Sequence, residues 1–379
     1  MNTGELSIYL DNAATTRVDD AVVEAMVTVM REDFGNPSSA HRLGIAAARR
    51  LEEARAELAR ALGAEARDVY FTSGGTEANT IAVRGVAERS RGRHLVVSAI
   101  EHPSVLDLAR RLGEQGFEVT EVAPDANGVI DVEALERAVR PETAVVTLMM
   151  VSNELGTVQP VFEAARRVKQ VAPRAHFHVD AVQALGKLPL RVGAGPIDSL
   201  AVSAHKIHGP KGAGALWLRR GAAVTPLAVG GGQEQGVRPG TQGMPGIVGL
   251  GRAATLAVAA LPGAREHLTA LRERLLAGVG RVMPTVRPTV DPANAAPHIV
   301  SLGFPGVAAE PLLHALEAHG VYVSAGSACA ARDKRPSHVL RAVGVPDDVG
   351  VLRFSFSRHT TAAEIDQALA ALTQALRDL

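Results

Sequence analysis

The chain has 379 residues, carries 40 basic against 40 acidic side chains, and is 46% apolar. Such a length permits a substantial core and two or three domains, and balanced charge gives no reason to expect nucleic acid. One cysteine excludes an internal disulfide framework and suits a reducing, cytoplasmic setting. The first residues show no charged-then-apolar leader, and no run is read as long enough to span a membrane.

Ile8–Leu10 reads as a short strand, followed by the polar, small-residue segment 11–16. Apolar Val22, Val23, Met26, Val27 and Met30 predict a helix from about Asp19 to Met30. After the turn cluster 35–39, a long helix is expected from His41 to Gly63, where glycine is a natural C-terminal cap. Val69–Thr72 reads as a strand running into Ser73-Gly74-Gly75-Thr76 and a helix. Strand, glycine turn and helix together aim backbone N–H groups at an anion.

Further strands are expected at His94–Ser98, Phe117–Val122 and Val145–Val151, with a helix at Asp131–Val139. The first of these strands leads to His102 and the last to Asn153. Beyond Gly214–Leu218, the glycine-rich stretch 230–241 reads as a loop too polar for a core. From Gly246 to Val282 the chain reads as helical. The remainder alternates strand and helix: Ile299–Leu302, Glu310–His319, Val321–Ser324, Pro336–Val343, Val351–Ser355 and a last helix from Ala362.

The apolar runs Ala175–Val179 and Leu200–Val202 stop at Asp180 and at Ser203-Ala204-His205-Lys206. In a parallel sheet, ligands bind beyond the carboxyl ends of strands, so an acid and a lysine at two such ends point to one site. Pyridoxal phosphate chemistry needs this pair: a lysine for the Schiff base, and a carboxylate that keeps the pyridine nitrogen protonated. Only Lys169, Lys187, Lys206, Lys211 and Lys334 can supply the amine. Cys329 lies in Ser-Ala-Cys-Ala-Ala, whose small side chains offer little bulk for core packing and suit a travelling nucleophile.

The motifs YLDNAATT, FGNPSSAH, FTSGGTEAN, EHPSV, VSNELGTVQP, HVDAVQALGK, SAHKIHGPKGAGAL, GGGQEQGVRPGT, SAGSACAA and LRFSFSRHTTAAEID occur in that order. In them the chain resembles the cysteine desulfurases of the NifS/IscS type, within the class V aminotransferase-like, fold type I pyridoxal phosphate enzymes. The resemblance implies an α/β fold: a large domain (16–255) with a mostly parallel sheet, and a smaller α+β domain (1–15 and 256–379) carrying the cysteine loop. It makes Lys206 the Schiff-base lysine, pairs Asp180 with the pyridine nitrogen, and sets Gln183 and Asn153 against the ring hydroxyl. His102 would stack on the ring and, as a catalytic residue, exchange protons. Gly75, Thr76, Ser203 and His205 would hold the phosphate, completed by Thr241 from the other subunit of a homodimer. Arg353 would bind the substrate carboxylate, with Asn153 also at the substrate, and Cys329 would take the sulfur.

The implied reaction turns L-cysteine into L-alanine and passes a persulfide to an acceptor protein or small thiol, for iron–sulfur clusters or thiolated tRNA. No metal, nucleic acid or membrane is implied. A selenocysteine lyase or aminotransferase would share the cofactor residues, though Cys329 speaks against an aminotransferase. A non-enzymatic sulfur carrier would not need Lys206, Asp180 and His102 together. Against the family pattern, the chain stops soon after its last helix, which puts scaffold docking in doubt. It is also unusually charged over 331–335, and Pro103 is expected to stiffen the turn at His102.

Overall fold

The computed structural model describes residues 7–326 and 337–379. In chain order its first elements are β1 (Ile8–Tyr9), α1 (Asp20–Arg31), α2 (Arg42–Leu62), β2 (Val69–Thr72), α3 (Gly75–Arg89), β3 (His94–Ser98), α4 (Pro103–Glu114), β4 (Glu118–Val122), α5 (Val132–Ala138), β5 (Thr143–Thr147) and α6 (Val161–Val171). There follow β6 (His176–Asp180), β7 (Ser199–Ser203), β8 (Gly214–Leu218), α7 (Met244–Val282), β9 (Arg287–Pro288), β10 (Ile299–Pro305), α8 (Ala309–Ala318), β11 (Val321–Tyr322), α9 (His338–Ala342), β12 (Val349–Ser355) and α10 (Ala362–Asp378).

Seven strands form one sheet in the order β2-β8-β7-β6-β5-β3-β4, in which β8 alone runs against the rest. Every residue of β3, β5, β6, β7 and β8 is buried. That is why these strands read as short apolar runs without alternation: helices cover both faces of such a sheet. The shared direction of β2, β3, β5, β6 and β7 brings their carboxyl ends to one edge, which is where Gly75, His102, Asn153, Asp180 and Lys206 leave the strands.

A second, antiparallel sheet has the order β12-β10-β9, and β1 pairs in parallel with β11. Its core, around Leu10, Phe304, Leu316, Leu352 and Phe354, is a cluster separate from the one packed on the large sheet. Helix α7 serves both: Leu250, Ala253 and Ala254 pack in the first cluster and Leu268, Leu271 and Leu275 in the second. Local signals act as expected. Helix α2 ends at left-handed Gly63 (φ 64°), whose N–H reaches the Ala59 and Arg60 carbonyls. Helix α4 starts on His102, whose ring accepts the Ser104 N–H, with Pro103 at the first helical position.

Four expectations are corrected. The strand read as Val145–Val151 is Thr143–Thr147. Beyond it the apolar run stays extended, giving the Leu148 and Met150 N–H groups to the His178 and Asp180 carbonyls, while Met149 N–H turns to the Glu101 carboxylate. Helix α6, with Val161, Ala164, Ala165 and Val168 buried, occupies a stretch to which no element was assigned. By length and composition α7 could cross a membrane, contrary to the reading that no run could; its buried Ile247, Leu250, Ala253 and Ala257 mark it as a core helix. The loop 230–241 is not wholly outside the core. Glu234 is buried and accepts from Arg55 Nη1 (2.7 Å), Arg55 Nη2 (2.9 Å) and Phe71 N (2.8 Å), docking the loop on β2.

Candidate active site

At the carboxyl edge of the large sheet lies a cavity of about 270 Å³, lined by Gly75, Thr76, His102, Asn153, Asp180, Gln183, Ser203, His205, Lys206 and Arg353. Ten of the residues singled out from the sequence thus meet in one place. Thr241 is exposed and lines none of the described cavities of its own chain. Cys329 lies outside the described residues.

Lys206 follows β7 in a single 3₁₀ turn, Ala204–Lys206, and its Nζ donates to the Ala13 and Ala14 carbonyls at 2.6 and 2.7 Å. The segment 11–16 is therefore a wall of the site. Asp180, the last residue of β6, accepts from Val182 N at 2.9 Å through Oδ1 and from Asn79 Nδ2 at 2.7 Å through Oδ2. Asn79 also contacts Ser104 Oγ (2.9 Å) and His178 Nε2 (2.9 Å). Ser104 Oγ lies 2.9 Å from His102 Nδ1. Behind His178, Ser199 Oγ is 2.7 Å from both His178 Nδ1 and His176 Nε2. Burial pushes His176 and His178 down to about 3, and it lowers His102 as well, with Asp180 opposing and Lys206 adding to the effect.

The other end of the cavity suits an anion. Helix α3 begins at Gly75, so its first N–H groups and the positive end of its dipole face this end. Thr76, Ser203, His205 and Lys211 line the adjoining opening. His205 is held neutral, its value lowered to about 4 by burial and then by Lys206, Lys211 and Lys187. The backbone here is tight: a Cβ on Gly75 would come within 2.6 Å of Val182 Cγ2, and one on Gly214 within 2.6 Å of the Gly74 backbone. Facing the sheet edge, β12 presents Arg353, which is 2% exposed. Its guanidinium donates to Asn153 O at 2.7 Å and pairs with Asp11 Oδ1 at 2.8 Å.

These residues fit pyridoxal phosphate. Gln183 donates to Ala13 O at 2.8 Å, yet its Oε1, like Arg353 Nε, is buried without a hydrogen-bond partner among the described residues. A carboxylate, an amine and an anion cradle occupy one cavity in the sense that cofactor requires. Several neighbours escaped the sequence reading: Asp11, Asn79, Glu101, Ser104 and His178. All five stand within motifs already noted, but none is given a role there; for His178, a polar residue on a fully buried strand, that polarity is the further signal.

The aminotransferase class-V family matches residues 8–368. A cysteine desulfurase of Trichormus azollae is 42% identical over 375 residues, covering 98% of this chain and 93% of that relative. Among solved structures, a NifS-like protein superposes with a TM-score of 0.94 at 38% identity, covering 99% of this chain and 100% of its own. A structure of SspA in complex with cysteine gives 0.82 at 34% identity, over 94% of this chain and 100% of that one. With lysine, acid and anion cradle gathered at one sheet edge, these likenesses place the chain in the class-V aminotransferase family, among the cysteine desulfurases, as a fold type I pyridoxal phosphate enzyme.

Proposed function

We propose that this enzyme converts L-cysteine to L-alanine and loads the sulfur on Cys329 as a persulfide for transfer to an acceptor protein or small thiol. The cytoplasm and a homodimer are part of this reading, as are the two-domain division (16–255 against 1–15 and 256–379) and iron–sulfur cluster or thiolated tRNA synthesis as the outlet. One observation carries it: Lys206, Asp180 and Arg353 line a single cavity. Pyridoxal phosphate, when bound, supplies an electron sink conjugated to the substrate Cα, stronger with its ring nitrogen protonated.

Asp180 would hold that proton in place, Gln183 and Asn153 would bond the ring oxygen, and His102 would pack on the ring. Gly75, Thr76, Ser203 and His205 would bind the phosphate together with Thr241 of the partner subunit. Arg353 binds the substrate carboxylate and Lys206 Nζ takes the α-proton. The Cys329 thiolate attacks the substrate sulfur. The Cβ–S bond then breaks with its electron pair left on Cβ, which takes up a proton, and Cα is reprotonated to give alanine.

The described residues that flank Cys329 on either side meet residues at the cavity. Ser324 exchanges backbone hydrogen bonds with Arg353 (2.7 and 3.2 Å), and Ser337 Oγ donates to Glu154 Oε2 at 2.6 Å, next to Asn153. The test is an assay for alanine and sulfide from L-cysteine, with selenocysteine and other amino acids as controls. Cys329→Ser should keep the cofactor and its spectral response to cysteine but lose sulfur release, because a hydroxyl is far less acidic than a thiol of pKa about 8.5. Wild-type turnover in that variant would sink the proposal.

A further inference from the structure

Asn79 makes hydrogen bonds in three directions, and their polarity follows from chemistry alone. A carboxylate only accepts, so the Asn79 atom 2.7 Å from Asp180 Oδ2 is the amide nitrogen, and its Oδ1 faces His178. His178 Nε2 must then carry a proton. His178 is fully buried and neutral, which leaves Nδ1 as an acceptor, so Ser199 donates its hydroxyl proton there. His176 Nε2–H in turn donates to Ser199 Oγ. Each bond in this row has one donor and one acceptor, running from His176 to Asp180.

The second Asn79 N–H goes to Ser104 Oγ, which frees the Ser104 hydroxyl proton for His102 Nδ1. That nitrogen also accepts the Ser104 backbone N–H at 3.1 Å. With Nδ1 filled from two donors, neutral His102 carries its proton on Nε2. To take up a second proton the ring would have to give up the Ser104 N–H and turn the Ser104 hydroxyl around, so its ready role is that of an Nε2–H donor.

We infer that Asn79 is a positioning residue that aligns the Asp180 carboxylate and, through Ser104, locks His102 in its Nε2–H form, with the buried row His176–Ser199–His178 fixing which way the Asn79 amide faces. The effect on turnover rests on the proposed reaction; the proton positions do not. A hydrogen-bond network satisfied at every member admits one arrangement, which holds the groups it ends on.

Long-range ¹H–¹⁵N spectra of the imidazoles test this directly, in the protein with and without pyridoxal phosphate, with signals assigned by loss in His102→Gln and His178→Gln. Both rings should show the Nε2–H pattern in the parent. Ser104→Ala, a change too small to threaten folding, removes the hydroxyl bond but leaves the backbone N–H on Nδ1, so His102 should stay in the Nε2–H form with its Nδ1 signal shifted. Asn79→Ala should shift the His102 signals and lower kcat between about tenfold and about a hundredfold, as expected for displaced catalytic groups, with KM for cysteine held within about twofold. Asn79→Asp, which cannot donate to Asp180, should fall further. An Nδ1–H pattern at His102 in the parent, or His102 signals unmoved by both Ser104→Ala and Asn79→Ala, would overturn the inference. Absence of desulfurase activity in the parent would instead count against the reaction proposed above, and the spectra would still decide the network.

Discussion

The two walls of the cavity are built on opposite principles. On the sheet side, each bond from His176 to Asp180 and from Asn79 to His102 can be assigned one donor and one acceptor. On the β12 side, Arg353 is as deeply buried, yet it is held by an acid, Asp11, and a backbone carbonyl, with Nε unpartnered among the described residues. A closed network resists change; an arginine with a spare donor can take on another carboxylate. The contrast separates a wall that holds a permanent group from one that meets a passing substrate.

If that contrast is right, damage to the two walls should appear in different kinetic constants. The largest effect should come from Asp180→Asn. The amide can still fill the space and keep some cofactor, but it no longer holds a positive ring nitrogen, so kcat should fall roughly 10²–10³-fold, about 3–4 kcal/mol of barrier. KM for cysteine should change little, and steady-state rates on the cofactor-saturated variant check both. Near-normal turnover would remove Asp180 from its proposed role.

Arg353→Gln comes next and should act the other way. Losing a charge-assisted contact of about 1.5–3 kcal/mol should raise KM roughly tenfold to a hundredfold while kcat holds within a few-fold. Should Arg353→Gln depress kcat as strongly as Asp180→Asn, the division between the walls would fail.

What the sequence revealed follows from the same contrast. Asp180 and Lys206 were visible because each interrupts an apolar run at a strand end, and β2, β3 and α2 were found nearly residue for residue because turns and caps mark them. Asn79 and His178 meet across 99 residues, and only the register of β6 in the sheet, with α3 laid against it, brings them together. Glu234 was misread for a similar reason. A polar residue among glycines looks solvent-exposed until its distant partner Arg55 is known. Local signals announce where elements end, but a buried polar pair is announced by neither member.

The closed wall also carries a pH signature of intermediate size. His176 and His178 are held down to about 3, against about 6.5 in the unfolded chain. Their folded-state pKa values are depressed, so the neutral-ring stability is whole above about 6.5 and is lost as pH falls toward about 3. Buried Glu101 has the opposite sign: burial raises its carboxyl well above the usual range, which favours the folded state as pH falls. Across the described residues seven histidines are lowered (His94, His102, His176, His178, His205, His208 and His298) against three acids raised (Glu57, Glu101 and Glu154), which should leave thermal stability declining from pH 7 to pH 5. His178→Gln should flatten that decline, measured as the difference in melting temperature between the two pH values. An equal decline in the variant would show that His178 is not buried as a neutral ring.

The smallest effect should come from a charge belonging to neither wall. Lys187 Nζ donates to the Lys206 carbonyl at 2.6 Å, beside a cavity of about 30 Å³ that His298 and Arg358 also line. Burial, then the like charges of Lys206 and Arg358, lower Lys187 to about 7. The unfolded lysine titrates near 10.5, so the folded protein gains stability as pH rises from about 7 toward 10.5, and below about 7 that gain is absent. Lys187→Met keeps most of the side chain's volume and removes the charge, at the cost of one hydrogen bond to the Lys206 carbonyl. A lost hydrogen bond and a relieved buried charge oppose each other, so at pH 7 the variant should lie within about 1 kcal/mol of the parent. At pH 9 the parent should gain on it, because only the parent still has a proton to shed. Denaturant unfolding at the two pH values measures the difference. If the gap between variant and parent were the same at both, Lys187 would be an ordinary solvated lysine.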